Sequence, residues 1–238
     1  MSNAEFCDYS LTTFDCNGRL RQVDYALAMV NRNAPSVGIV GCDSVLLASI
    51  KRDCTPLMEP ETLLNMQCLN KKLGIVYAGH EPDYRVMGNY ALKTVAAFDA
   101  AHHEIISIQK LVTSVSQLMQ ENTQTVGTRP FAVSLLTCGH QRGAAQLYET
   151  LPGGDFRTYQ CAAIGKAAEK RRQFMINKHK WSLDLDGCMN LALDALQKDY
   201  NGILTAPMLQ IGYANCAGFA ELSTDEITKI LQKYYLWE

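Results

Sequence analysis

Residues 36 to 52 read SVGIVGCDSVLLASIKR. Two β-prone runs flank Gly41-Cys42-Asp43-Ser44, which predicts a hairpin. Neither run alternates polar and apolar residues. A strand with one face in water alternates, so these strands are expected to be buried on both faces. The same unbroken apolar character recurs in LGIVYAG (73–79) and in VSLLTC (133–138). Sheet stacked on sheet, with helices outside, satisfies that pattern.

Around this hairpin the element order is legible. MQCL (66–69) and LGIVYAG predict a second strand pair around Asn70-Lys71-Lys72. A helix is expected over 82–102, with Glu81 and Asp83 at its positive N-terminal end. Its core side reads Tyr84, Val86, Met87, Tyr90, Ala91 and Val95. A second helix is expected over 108–123, with Ile108, Leu111, Val112, Val115, Leu118 and Met119 at i, i+3, i+4 spacing. Strands return at 130–139, 144–150 and 156–165, helices near 167–179 and 184–199, and a last strand at 208–215. The closing helix starts at Ser223, with Glu226 three residues on, a capping box. Strands in hairpins and helices in pairs do not make the regular alternation of a parallel sheet. The fold class is therefore α+β, two antiparallel sheets face to face with a helix layer on each. No linker-like stretch or composition shift divides residues 1–238, which are read as one domain.

The 238 residues suffice for a core without disulfide staples. Nine scattered cysteines with no CxxC pair fit reduced thiols, hence the cytoplasm and nucleus. A formal net charge of -2 gives no electrostatic case for nucleic acid or an anionic membrane. No apolar run approaches the roughly 20 residues of a membrane span. MSNAEFCDYS lacks a charged segment followed by an apolar one, so no signal peptide is expected.

Catalytic motifs are weak. The histidines (80, 102, 103, 140, 179) show no HExxH or Cys/His zinc spacing, and neither metal nor cofactor is expected. Ser107 and Lys110 match SxxK without the SDN and KTG elements that a Ser/Lys acyl-transfer site wants. Gly165-Lys166 lacks the rest of a P-loop. Lys166, Lys170, Arg171 and Arg172 read as a solvated helix face. No cysteine has a neighbouring His or a helix start to mark it as a nucleophile.

N-terminal to the hairpin stands a β-prone run, 9–14, then a turn at Asp15-Cys16-Asn17-Gly18, then Leu20, Val23, Leu27 and Val30 at helical spacing. Within it, TTFDCNGRLRQVDYA (12–26) resembles the N-terminal signature of proteasome core-particle alpha subunits. APSVGI (34–39), PDYRV (82–86), MQENTQ (119–124), RPFAVSLL (129–136) and Gly218-Phe219 extend the resemblance along the whole chain. APSVGI, PDYRV and RPFAVSLL are most similar to the type-2 branch of the eukaryotic alpha subunits.

The resemblance implies the four-layer αββα sandwich of N-terminal-nucleophile hydrolases with an extra N-terminal helix. It implies a place in a seven-membered hetero-ring of alpha subunits, stacked on a ring of proteolytic beta subunits. Residues 1–16 would be the gate arm and 19–31 the helix on the ring's outer face. Beta subunits of this fold attack with a free N-terminal threonine. Laying the first hairpin on theirs puts Ala34 at the nucleophile and Ile50 at the usual aspartate. Ala34 has no hydroxyl and its nitrogen is an amide, so no catalytic residue is expected.

Other family features carry over in part. The arm's usual Tyr-Asp-Arg is matched by Cys7, Asp8 and Tyr9, and the usual proline of the turn by Cys16; the tyrosine of the opening helix is Tyr25. Losing the proline is expected to loosen the turn. Activators, the regulatory particle among them, insert C-terminal tails between alpha subunits. The implied pocket comprises Asp24, Asn65 and Gly79, with Asn65 in place of a lysine by an ungapped count, or Lys71 or Lys72 if the loop carries a shift. Thr125-Val126-Gly127-Thr128 stands where the family's pore constriction carries a Gly-Gly turn.

Overall fold

The computed structural model describes residues 11–51, 57, 59, 62, 63, 65–200 and 202–235. Among them are six α-helices and ten strands. In chain order they are α1 (Arg21–Val30), β1 (Ser36–Val40), β2 (Val45–Ile50), β3 (Met66–Asn70), β4 (Leu73–Gly79), α2 (Glu81–His102) and α3 (Ile108–Gln124). Then come β5 (Val133–Gln141), β6 (Ala144–Thr150), β7 (Phe156–Thr158), β8 (Cys161–Ile164), α4 (Ala168–Lys178), α5 (Leu185–Gln197), β9 (Leu209–Asn215), β10 (Gly218–Glu221) and α6 (Thr224–Tyr235).

The strands form two five-stranded sheets, ordered β10-β9-β2-β1-β8 and β3-β4-β5-β6-β7. Every pairing is antiparallel. The unbroken apolar runs are buried on both faces as expected. Side chains alternate across a strand, and in β2 they alternate between two cores. Val45 and Leu47 join a cluster shared by both sheets, with Val76, Ala78, Leu136 and Leu147. Leu46 and Ala48 face the other way, into a cluster with Met175, Leu191, Leu193 and Ile227 of α4, α5 and α6. In β4, Leu73, Ile75 and Tyr77 pack with Met87, Leu111 and Val115 of α2 and α3. Fully burying one such aliphatic side chain contributes about 2 kcal/mol.

Four details depart from expectation. Residues 156–165 are two strands in different sheets. Tyr159 N–H donates to Leu147 O at 3.0 Å, still on the β6 side, while Gln160 O accepts from Val40 N–H of β1 at 2.7 Å. The chain thus crosses between sheets at one peptide, with no Gly or Pro to signal it. Residues 218–221 form an unexpected strand. Val86 is 52% exposed, so it leaves the core side of α2. Arg171 and Arg172 are not a solvated face: Arg171 is 2% exposed, and Arg172 pairs with buried Glu149 at 2.9 Å. The strand expected from 130 begins at Val133, beyond Pro130, which has no N–H to give a ladder.

Candidate functional site

α1 starts without a side-chain cap at Leu20, but the turn before it is stapled. Asp15 Oδ1 accepts from Asn17 N–H (2.8 Å) and Arg19 N–H (2.9 Å), and Oδ2 lies 3.3 Å from Arg21 Nε. The Arg19 amide leads in holding this carboxyl below its ordinary pKa. Gly18 takes φ +74°, which glycine adopts without strain. The turn that holds Cys16 is therefore ordered by Asp15 without a proline. Cys16 itself is exposed. Cys7, Asp8 and Tyr9 lie outside the described residues.

The far end of α1 reaches the sheets. Val30 is 2% exposed and enters the inter-sheet cluster. The chain then turns through Ala34 into β1. Lys166 N–H donates to Asn33 O at 2.8 Å, and Ile50 N–H donates to Pro35 O at 3.1 Å. Gly165 is required here, since a Cβ would lie 2.5 Å from Ala34 O. Ala34 is thus fixed between β2 and the start of α4 as an internal residue with no nucleophilic atom. Ile50, at 5% exposed, belongs to the apolar cluster under α4–α6.

A second group forms where α1 meets the N-terminus of α2. Tyr25, 50% exposed, lines a cavity of about 280 Å³ with Gln22, Met29, His80, Arg129 and Pro130. Asp83, 6% exposed, organises its base. Its carboxylate accepts two 2.7 Å bonds from the Arg129 guanidinium and one of 2.8 Å from Ala132 N–H, with His80 Nδ1 at 3.3 Å. Burial alone would raise its pKa, but these bonds overcome that and hold it at about 2. Gly79 ends β4 just beside this group at φ +134°, where a Cβ would lie 2.2 Å from Ala132 O. The structure so brings Tyr25 and the neighbour of Gly79 together with Arg129. Sequence reasoning quoted Asp83 and Arg129 only as parts of motifs; their separation of 46 residues gave no pairing signal.

Asp24 and Asn65 do not line that cavity. Asp24 sits in the first turn of α1. Asn65 is 9% exposed, and its amide donates to Ile50 O (2.9 Å) and Ser49 Oγ (3.1 Å). Its N–H donates to Gln210 Oε1 at 2.9 Å. Ser49 in turn accepts from Ser36 Oγ at 2.9 Å. This is a buried polar network between the sheets. A β-bulge falls between Cys68 and Asn70, after Asn65 and before Lys71. The 125–128 turn projects from the end of α3. Val126 is 89% exposed, while Thr125 Oγ1 donates to Glu121 O (2.7 Å) and Thr128 Oγ1 to Asn122 O (3.1 Å). Gly127 sits at φ +85° in open space.

Elsewhere the weighed chemistry dissolves into structure. Ser107 caps α3, accepting from Lys110 N–H at 3.3 Å, and Lys110 Nζ lies over the Phe98 ring at 4.4 Å. Burial pushes the Cys188 thiol up to about 11 and the Cys161 thiol up to about 12, the wrong direction for nucleophiles. Among the described residues no cluster of three or more His, Cys, Asp or Glu is placed to hold a metal.

Comparison with known proteins bears on this arrangement. The proteasome subunit family profile matches residues 30–204. Proteasome subunit alpha type-2 of Drosophila melanogaster is 35% identical over 94% of this chain and 95% of that protein. The alpha type-2 subunit of Oryza sativa subsp. indica is 31% identical over 94% and 96%, and a probable alpha type-2 subunit of Neurospora crassa is 33% identical over 88% and 84%. Alpha subunits are the non-catalytic subunits of the proteasome. By profile and by relatives, the chain belongs to the proteasome subunit family.

Proposed function

We propose that this chain is a non-catalytic alpha-ring subunit of a proteasome core particle, folded over residues 1–238 as the four-layer αββα sandwich of the N-terminal-nucleophile hydrolases. It builds the outer ring with other alpha subunits, rests on a ring of beta subunits and works in ATP- and ubiquitin-dependent protein degradation in cytoplasm and nucleus. The observation that carries this reading is Ala34. The two-sheet scaffold is intact around it, yet the residue at the start of β1 is internal, lacks a hydroxyl and is preceded by α1. A chain of this shape serves as scaffold and as gate.

In this reading residues 1–16 and Tyr25 contribute to the gate, the 125–128 turn to the pore constriction, and Asp24, Asn65 and Gly79 to the pocket for activator tails. Asn65 carries no charge, so it cannot make the charge-assisted bond that a lysine would offer a tail carboxylate. The test is to tag the chain in its native cells, purify it gently and measure the native mass and the co-purifying chains. An assembly of several hundred kilodaltons with beta subunits and peptidase activity is expected. A monomer, or a ring of this chain without beta subunits, overturns the proposal.

A further inference from the structure

A cavity of about 290 Å³ opens beside Ala34, away from the groups assigned above. Arg32, Lys51, Lys166 and Arg171 line it, together with Asp199 and Tyr200. These come from four separate segments: the end of α1, the end of β2, the start of α4 and the chain after α5. Lys166 is held there by the sharp turn between Gly165 (φ +87°) and Ala167 (φ +52°) and by its N–H bond to Asn33 O. Arg171 is fixed by carbonyls, with Nε on Ala195 O at 2.9 Å and Nη1 on Lys166 O. Four cationic side chains thus stand against one carboxylate.

That carboxylate is itself incomplete. Asp199 Oδ1 lies 4.0 Å from Lys170 Nζ, while Oδ2 is buried with no hydrogen-bond partner. A buried carboxylate oxygen without a donor is costly and calls for an explanation. The surrounding cations favour an anion; Oδ2 requires a hydrogen-bond donor. An oxyanion that keeps a proton at neutral pH meets both demands. Hydrogen phosphate does so, whereas sulfate is fully ionised and would set a bare oxygen against Oδ2. We propose that this cavity is a binding site for inorganic phosphate, with Arg32, Lys166 and Arg171 supplying the positive charge and Asp199 Oδ2 accepting the ligand's P–O–H. A phosphomonoester loses its second proton near pH 6, so it fits the same site only below that pH.

The test is isothermal titration calorimetry on the purified full-length chain at neutral pH, comparing inorganic phosphate with sulfate at matched ionic strength. Saturable phosphate binding is expected, with sulfate weaker by about tenfold or more, the worth of one charge-assisted hydrogen bond. Asp199→Asn is expected to remove the preference, because an amide can donate to either anion. The double change Arg32→Ala and Lys166→Ala alters only the rim and is expected to weaken phosphate about tenfold. Absence of saturable phosphate binding, equal binding of the two anions, or phosphate binding indifferent to the double change overturns the site. O-phosphoserine separates the sources: it should compete with phosphate only below about pH 6, and competition at neutral pH equal to that of phosphate overturns the role given to Asp199.

Discussion

Asp83 at the start of α2 grips Arg129 at the foot of the 125–128 turn through two parallel bonds of 2.7 Å. The pair ties the loop between α3 and β5 to the helix beside Tyr25, and the Ala132 amide closes the third contact. Asp83→Ala removes three bonds to a charged acceptor, although half-exposed Arg129 regains water. We expect a loss of about 2 kcal/mol in chemical denaturation. The pH dependence follows from the pKa of about 2 against an ordinary 3.8. A carboxyl with a depressed folded pKa stabilises above its unfolded value. That contribution should therefore be full above pH 3.8 and fade as the pH falls toward 2. A variant as stable as the parent at neutral pH would show that the clamp contributes nothing.

Arg172 and Glu149 form the second charged clasp, joining α4 on one sheet to β6 of the other. Glu149 is 3% exposed. Burial raises its pKa, and Arg172 and Tyr159 only partly offset that. Arg172→Ala leaves a buried carboxyl unpaired and should cost about 3 kcal/mol. Glu149→Gln keeps the shape without the charge and should be milder. The signs with pH differ from those of Asp83. A raised carboxyl pKa favours folding below the ordinary 4.5 and loses that contribution as the pH rises through the folded value. Urea titrations of the two single variants and the double variant decide this. If Arg172→Ala costs no more in the parent than in the Glu149→Gln background, the coupling is absent.

What the sequence made legible was periodicity. The doubly buried strands, both hairpins, the stripes of α2 and α3 and the Ser223–Glu226 capping box followed from spacing within a dozen residues. What it hid were long-range partners and sheet exchange. Nothing local at Tyr159-Gln160 marks a change of sheet. Nothing in KRR at 170–172 says that Arg171 would donate to the carbonyls ending α5 and Arg172 to Glu149. Asp83–Arg129 likewise pairs residues that the family signature places but does not connect. The arm at 7–9 lies outside the described residues, so that part of the site stays with the resemblance.

Phe219 was read only as a motif letter before the last helix, yet its ring locks the two sheets. A Cβ on Gly74 would lie 2.1 Å from Phe219 Cε2, and one on Gly212 would lie 2.8 Å from Cζ. The ring fills the space between two bare backbones, β4 in one sheet and β9 in the other, and cannot retreat from one without striking the other. Gly74→Ala should therefore destabilise by about 1–3 kcal/mol, as overpacking does. Adding Phe219→Leu should recover part of that cost, a non-additive result. Strict additivity in denaturation midpoints would mean that the ring moves freely aside.

The last prediction concerns Asn65. Its amide donates inward to Ser49 Oγ and Ile50 O, so in this state it offers a docking tail no donor from those hydrogens. Asn65→Lys would add an ammonium on a longer, flexible stem. If position 65 borders the tail pocket, that charge can swing outward to a terminal carboxylate, and the affinity for an activator C-terminal peptide should rise about tenfold. The same change abandons two buried acceptors and should cost stability of about 1–3 kcal/mol. Fluorescence anisotropy with a labelled tail peptide on the assembled particle reads the first effect, and urea titration of the chain reads the second. Lower stability with unchanged tail affinity would mean that Asn65 belongs only to the inter-sheet network, and that Lys71 or Lys72, beyond the bulge, is the residue to substitute next.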